Sequence, residues 1–311
     1  MRTQFIRLGA LLLLVPALFA QTAVRRPRIL GISHVAVYVK DLNQARTFYK
    51  GFLGFGEPYS LKRPDGSERA AVIKINDQQS LELFAEDPHE DGQFSHLALY
   101  TDDVAHMHDY LVARGVAVSD QVHQGQTGDL FFTVKDPDGH LVEIIEARPE
   151  DMAARSRGRS MPASRAATRL AHAGILTSSL GAALKFYRDI LGFREFWHGS
   201  SADDKLHWDS LRVPDGDDYL ELMLYKPPLA QEQRGLQNHI GLETTNLAAS
   251  VAGLQSRASA SHYSQPIEVH IGKDRKREID LWSPDGSRVE LRESAPATAP
   301  SSAPAARHTG E

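Results

Sequence analysis

No cysteine occurs among the 311 residues. That absence excludes disulfides, thiolate nucleophiles, zinc ribbons and iron–sulfur clusters, so any metal must be held by His and carboxylate ligands. A positive excess is missing too: 35 Lys+Arg face 40 Asp+Glu, a formal net charge of −5. Nucleic acid is therefore not an expected partner, since its binders present basic patches. The apolar run Leu8 to Phe19 is shorter than the ~20 residues a membrane-spanning helix needs.

Arg2 and Arg7 before that run, and small Ala20 after it, form the pattern of a secretory signal over residues 1–20. No Cys follows to carry a lipid. The sequence thus predicts an exported chain, periplasmic or secreted, with no stable membrane span after cleavage. Loss of two arginines takes its balance to 33 − 40 = −7. With 41% hydrophobic and 24% charged residues the chain can build ordinary cores, and its length suits about two domains.

Two halves repeat. The stretch Gln44 to Phe55 aligns with Ala182 to Phe193 at an offset of 182 − 44 = 138, and Ala, Phe, Tyr, Leu, Gly and Phe match in register. Apolar residues at three- and four-residue intervals before a Gly predict an amphipathic helix with a glycine stop. A short alternating strand precedes each, Ser33 to Val39 and Ala171 to Leu176. Two more such strands, Ser95 to Tyr100 and Asn238 to Glu243, precede helix-like stretches at Val104 to Ala113 and Leu247 to Ala258. Pro-Asp-Gly turns recur at Pro64, Pro137, Pro214 and Pro284. Four strand–helix–hairpin units result, two per half. Residues 148–168 read as a linker rich in Arg, Ala and Ser, and residues 295–311 as a disordered Ala/Pro/Ser-rich tail.

Each unit opens with a strand carrying one His (His34, His96, His172, His239) and closes with a strand carrying one Glu between aliphatics (Glu82, Glu143, Glu221, Glu290). Alternation along a strand sends the aliphatics to one face and the Glu or His to the other. The His-to-Glu separations are 82 − 34 = 48, 143 − 96 = 47, 221 − 172 = 49 and 290 − 239 = 51. A lone strand His or Glu is usually structural or solvent-facing; the fourfold repetition points to ligation. Two imidazoles and two carboxylates on one face suit a divalent Ni, Co, Zn, Fe or Mn ion, which also relieves the repulsion of two buried carboxylates. His106 and His108, two apart on one predicted helix, read as a solvated face.

These motifs, the Phe-Tyr-x-x-x-Leu-Gly-Phe helix and the Pro-Asp-Gly turn before the last Glu of each half, resemble the vicinal oxygen chelate superfamily: glyoxalase I, bleomycin-resistance proteins and extradiol dioxygenases. The resemblance implies an α+β fold in which four βαβββ modules make two glyoxalase-like domains, residues 29–147 and 169–294, each an eight-stranded, partly closed mixed sheet. It carries His34, Glu82, His96 and Glu143 into one metal site, and His172, Glu221, His239 and Glu290 into a second. Its shared chemistry is a divalent metal that binds two adjacent substrate oxygens and stabilises an enediolate-like or peroxo intermediate.

Extradiol enzymes usually place a catalytic His near the fourth strand, where this chain has Glu82 and Glu221. That substitution favours a glyoxalase I-like lyase or isomerase, with Glu82 or Glu143, and Glu221 or Glu290, as general base. The alternatives are an extradiol, catechol-type ring-cleavage dioxygenase and a non-catalytic binding protein of the bleomycin-resistance type. The implied partner is a small molecule with vicinal oxygens, and export fits poorly with a glutathione-linked one. Tyr38 and Tyr100 are in phase with His34 and His96, as pocket lining or packing. Glu243 is in phase with His239, to touch substrate or reach solvent, and Gly174 and Gly241 leave extra room. Whether modules pair within one chain or across a homodimer stays open at this level.

Overall fold

A computed structural model of the chain describes residues 24–87, 93–227, 229 and 237–294; the expected signal segment and the C-terminal tail lie outside them. The first half holds β1 (Ile29–Val39), α1 (Leu42–Arg46), β2 (Gly56–Lys62), β3 (Glu68–Lys74), β4 (Ser80–Ala85), β5 (Phe94–Thr101), α2 (Val104–Ala113), β6 (His123–Gln124), β7 (Leu130–Lys135) and β8 (Leu141–Glu146). After α3 (Met152–Arg155), the second half repeats this order. It comprises β9 (Arg169–Leu176), α4 (Leu180–Leu184), β10 (Arg194–Ser200), β11 (Leu206–Arg212), β12 (Tyr219–Tyr225), β13 (His239–Thr244), α5 (Leu247–Ala258), β14 (His270–Ile271), β15 (Arg277–Trp282) and β16 (Arg288–Glu293).

Each half is one eight-stranded mixed sheet, in the orders β2-β3-β4-β1-β5-β8-β7-β6 and β10-β11-β12-β9-β13-β16-β15-β14. In both, the opening and closing strands of a module pair in parallel, β1 with β4 and β5 with β8, while β1 and β5 join the modules antiparallel. Consecutive modules of one chain therefore complete each sheet. That settles the pairing left open by the sequence.

The aliphatic neighbours of the His and Glu residues (Val35, Leu81, Leu83, Leu97, Val142, Ile144 and, in the second half, Leu220, Leu222, Ile240, Val289, Leu291) share one buried cluster with Phe48, Tyr49, Phe52 and Tyr187. This cluster spans both halves, so the helix-facing sides of the two sheets back onto a common core.

The repeated Phe-Tyr helix differs from the regular helix expected. Only Leu42–Arg46 and Leu180–Leu184 are α; Thr47–Phe52 and Lys185–Ile190 widen into π turns. Leu53 N–H donates to Phe48 C=O at 2.8 Å, and Leu191 N–H to Phe186 C=O at 3.0 Å, each spanning five residues. The wider turn brings Phe48, Tyr49, Phe52 and Leu53 all into the core. Gly54 and Gly192 then end the turns at φ +81° and +83°, where only glycine is unstrained.

Residues 148–168 are a connection, but not a loose one. Asp151 caps α3 by accepting from Ala154 N at 2.6 Å, and Met152 N donates to Thr127 O at 2.8 Å. Buried Lys74 donates to Ser156 O at 2.6 Å, while Ala166 and Ala167 are buried in the shared core. Small residues that show no periodicity are the ones that fit such a crowded path.

Candidate metal centres

Strand pairing fixes the first quartet. On antiparallel β1 and β5, His34 lies opposite Ala98 and His96 opposite Ala36, so both imidazoles rise from the same face one pleat apart. Their Nε2 atoms are 3.0 Å apart. Parallel pairing places Glu82 of β4 beside Ala36 and Glu143 of β8 beside Ala98. Glu82 Oε2 lies 3.9 Å from His34 Nε2, and Glu143 Oε2 3.9 Å from His96 Nε2.

The second quartet repeats the strand plan, but its His–Glu contacts cross between modules. His172 and His239 Nε2 are 3.1 Å apart. Glu290 Oε1 is 3.6 Å from His172 Nε2 and Glu221 Oε1 is 3.6 Å from His239 Nε2. The structure thus gathers all eight residues singled out in the sequence into two groups of four. Within them, His34, His96 and Glu143, and His172, His239 and Glu290, bring ligand atoms within 4.8 Å of one another.

The donor chemistry fits a divalent cation. Burial lowers His34 to about 4 and His96 and His239 to about 3, and drives His172 well below its ordinary value, so the rings stay neutral as ligation requires. Burial also raises Glu82, raises Glu143 well above its ordinary value, and raises Glu221 to about 8 with help from the charge of Glu290. Burial is the largest cause in each case, and a bound cation would offset it. His172 Nδ1 and Glu290 Oε1 are buried without hydrogen-bond partners among the described residues. Two nitrogens each about 2.1 Å from one cation, at right angles, stand about 3 Å apart, which matches the imidazole spacing.

Surroundings distinguish the two sites. Around Glu143, the same-face neighbours two residues away are Leu141 and Ile145; around Glu290 they are Arg288 and Arg292. Arg288 Nη2 lies 3.3 Å from Glu290 Oε2. Arg292 Nε lies 3.0 Å from Glu290 Oε1, near enough for an ion pair although off the line of a hydrogen bond. The arginines are held from behind, Arg288 by Asp280 at 2.7 Å and Arg292 by Glu278 at 2.6 Å, with Tyr219 Oη also bonded to Arg292. Period-two alternation around Glu290 could have flagged both arginines; the sequence reading passed over them.

Space differs as well. His34 and Glu82 border a cavity of about 40 Å³ lined by Tyr59, Tyr100, Asp129 and, from the connecting segment, Asp151 and Ser156; Tyr100 and Asp151 also line an adjoining cleft of about 1130 Å³ whose wall includes none of the quartet. An apolar group of Ala36, Leu61, Ala70, Val72 and Phe84, with Tyr38 and Tyr59 against it, occupies the neighbouring part of that face. Tyr38 therefore packs while Tyr100 lines. In the second half, Glu221 and Glu290 face a cavity of about 750 Å³ with Phe196, Trp197, Trp208 and Tyr225 in its wall and Arg194, Arg212 and Lys273 among its cations.

Three finer readings change. Gly174 and Gly241 leave no spare room: a Cβ on Gly174 would lie 1.9 Å from His239 Cε1, and one on Gly241 2.0 Å from His172 Cε1. Absence of a side chain seats each imidazole flat on the opposite strand. Glu243 pairs with Arg169 at 3.3 Å rather than joining the quartet. His106 is exposed as read, but His108 is tucked in, with Nε2 2.9 Å from Ser119 O and its ring edge-on to Phe132.

The family model for the Glyoxalase/Bleomycin resistance protein/Dioxygenase superfamily matches residues 31–144 and 169–291. The chain belongs to that superfamily. It is 28% identical over 223 residues to Metapyrocatechase 2 of Cupriavidus necator, covering 67% of this chain and 65% of that one. Among solved structures, a mutant of homoprotocatechuate 2,3-dioxygenase from Brevibacterium fuscum superposes with TM-score 0.62 at 18% identity, covering 86% of this chain and 72% of that one. The Mn(II)-bound glyoxalase from Novosphingobium aromaticivorans does so with TM-score 0.63 at 18% identity, covering 86% and 83%. At these identities the structural matches show the shared fold.

Proposed function

We propose that the protein is a metal-dependent enzyme of this superfamily whose second domain moves a proton on a small substrate with vicinal oxygens, as a lyase or isomerase. The observation that carries this reading is the place of Glu221: a buried carboxyl of the quartet that stands outside the His172–His239–Glu290 set and faces the 750 Å³ cavity. A carboxyl beside the metal ligands and open to the substrate cavity is placed to take and return a proton, which is what general acid–base catalysis needs. His172, His239 and Glu290 would hold the metal, and when bound it supplies Lewis acidity toward substrate oxygens. The aromatic wall excludes water from an apolar body, and Arg194, Arg212 and Lys273 favour a substrate bearing an anionic group. Arg212 is stacked 4.7 Å above Phe196 and its Nε has no hydrogen-bond partner among the described residues.

A second reading, extradiol ring cleavage, is supported by the two-His, one-carboxylate set His172–His239–Glu290, the donor pattern of non-heme Fe(II) oxygenases, and by the similarity to Metapyrocatechase 2 across both halves. One assay separates them. Protein loaded with Ni(II), Co(II) or Fe(II) is given a vicinal-oxygen panel including catechols while dissolved oxygen is followed. The lead reading expects turnover without oxygen uptake, and a Glu221→Gln loss of about 100-fold in kcat with little change in KM. Oxygen consumption on catechols by the Fe(II) form would replace it with ring cleavage. No turnover and no effect of Glu221→Gln on ligand binding would leave a binding protein.

A further inference from the structure

The two quartets share donors and geometry but not charge. Among the described residues no Lys or Arg forms an ion pair with Glu82 or Glu143, whose nearest imidazoles, the neutral His34 and His96, lie 3.9 Å away; Arg69 acts on Glu82 at longer range, and Asp129 adds negative charge. Leu141 and Ile145 flank Glu143 on its own face. In the second domain the equivalent flanks are Arg288 and Arg292, both within 3.3 Å of Glu290 and nearer to it than the acids that pair with them from behind, Asp280, Glu278 and Asp274, are. A guanidinium beside a metal carboxylate offsets the charge that attracts a dication, and like charges repel strongly at a buried site. An anion arriving in the same cavity reverses that balance.

Resting on the reading that the quartets are metal sites, we infer that they load unequally. The first domain holds a resident ion tightly with or without substrate; the second binds its ion weakly until an anionic vicinal-oxygen ligand joins it. Cavity size assigns the roles. About 40 Å³ has room for two or three waters at most, whereas small-molecule sites occupy about 300–1,000 Å³. The ion in the first domain therefore stabilises its sheet without turnover, and the 750 Å³ cavity of the second takes the substrate.

Calorimetric titration of chelator-stripped protein with Co(II) tests this. Two steps are expected, the first at least about 100-fold tighter. Glu82→Gln with Glu143→Gln should abolish the tight step, and Glu221→Gln with Glu290→Gln the weak one. Arg288→Leu or Arg292→Leu should tighten the weak step by about tenfold, and the reciprocal Ile145→Arg should weaken the tight step by about as much. Adding 3,4-dihydroxybenzoate should tighten only the weak step. Two equal steps, a tight step that survives in the Glu82/Glu143 variant, or arginine variants that fold and leave the weak step unmoved would overturn the inference while sparing the proposed function. Absence of any Co(II) binding would remove both.

Discussion

Gly174 and Gly241 illustrate how much a missing methyl can decide. Each lies directly across the ladder from a ligand, Gly174 from His239 and Gly241 from His172, where the first domain has Ala36 and Ala98. A Cβ there would lie under 2.5 Å from ring atoms, so the imidazole must shift from its present seat. Gly174→Ala and Gly241→Ala should each cost about 1–3 kcal/mol of stability and weaken Co(II) binding in the second domain alone, as the ring shifts toward the seat its counterpart takes over Ala36 or Ala98, read by thermal melts and metal titration. Asp209, buried on β11 beside Glu195, carries a pH signature. Burial and that neighbouring charge raise its pKa from 3.8 to about 7. A raised carboxyl pKa means the fold favours the proton, so stability from this group is lost as pH rises through about 4 to about 7. Asp209→Asn should flatten that part of the stability–pH curve; an unchanged slope in denaturant titrations would refute the assignment.

Elements built from turns turn out to be clasps between the domains. Asp138, in the β7–β8 turn, accepts from Ser178 N at 2.8 Å and Thr177 Oγ1 at 2.6 Å; Asp285, in the β15–β16 turn, accepts from Lys40 N at 2.9 Å. Lys40 and Ser178 are 138 residues apart, the offset of the repeat. Asp215 adds a third clasp to Ile29 N at 2.9 Å. Asp138→Ala should therefore destabilise the whole molecule by about 1.5–3 kcal/mol, as loss of bonds to a charged acceptor does, rather than loosen one hairpin. Sequence pattern identified these as turns because Pro and Gly act locally; their long-range hydrogen bonds depend on how two sheets back onto each other, which no local pattern encodes. The same contrast holds elsewhere. Strands bearing His34, His96, His172 and His239 and the helices at Val104–Ala113 and Leu247–Ala258 were legible from two- and three-to-four-residue periodicity. The π widening at Thr47–Phe52, the packing of residues 148–168 and the seating of His239 on Gly174 depend on distant partners, and periodicity is silent on those.

At the scale of the whole molecule, two copies of one module pair have drifted in charge and space while keeping their eight donors. The first domain is crowded by its apolar group and by the connecting segment; the second is wide and lined with cations. We propose, in addition, that the mature chain is exported. Intact-mass measurement of protein from its own cell envelope should start at Gln21, and a mass beginning at Met1 would contradict signal cleavage. The account as a whole turns on cations at the two quartets. Anomalous scattering from crystals soaked in Mn(II) with 3,4-dihydroxybenzoate should show one peak between His34, His96 and Glu143 and another between His172, His239 and Glu290. Peaks lying elsewhere, or none at either pair of imidazoles, would contradict it.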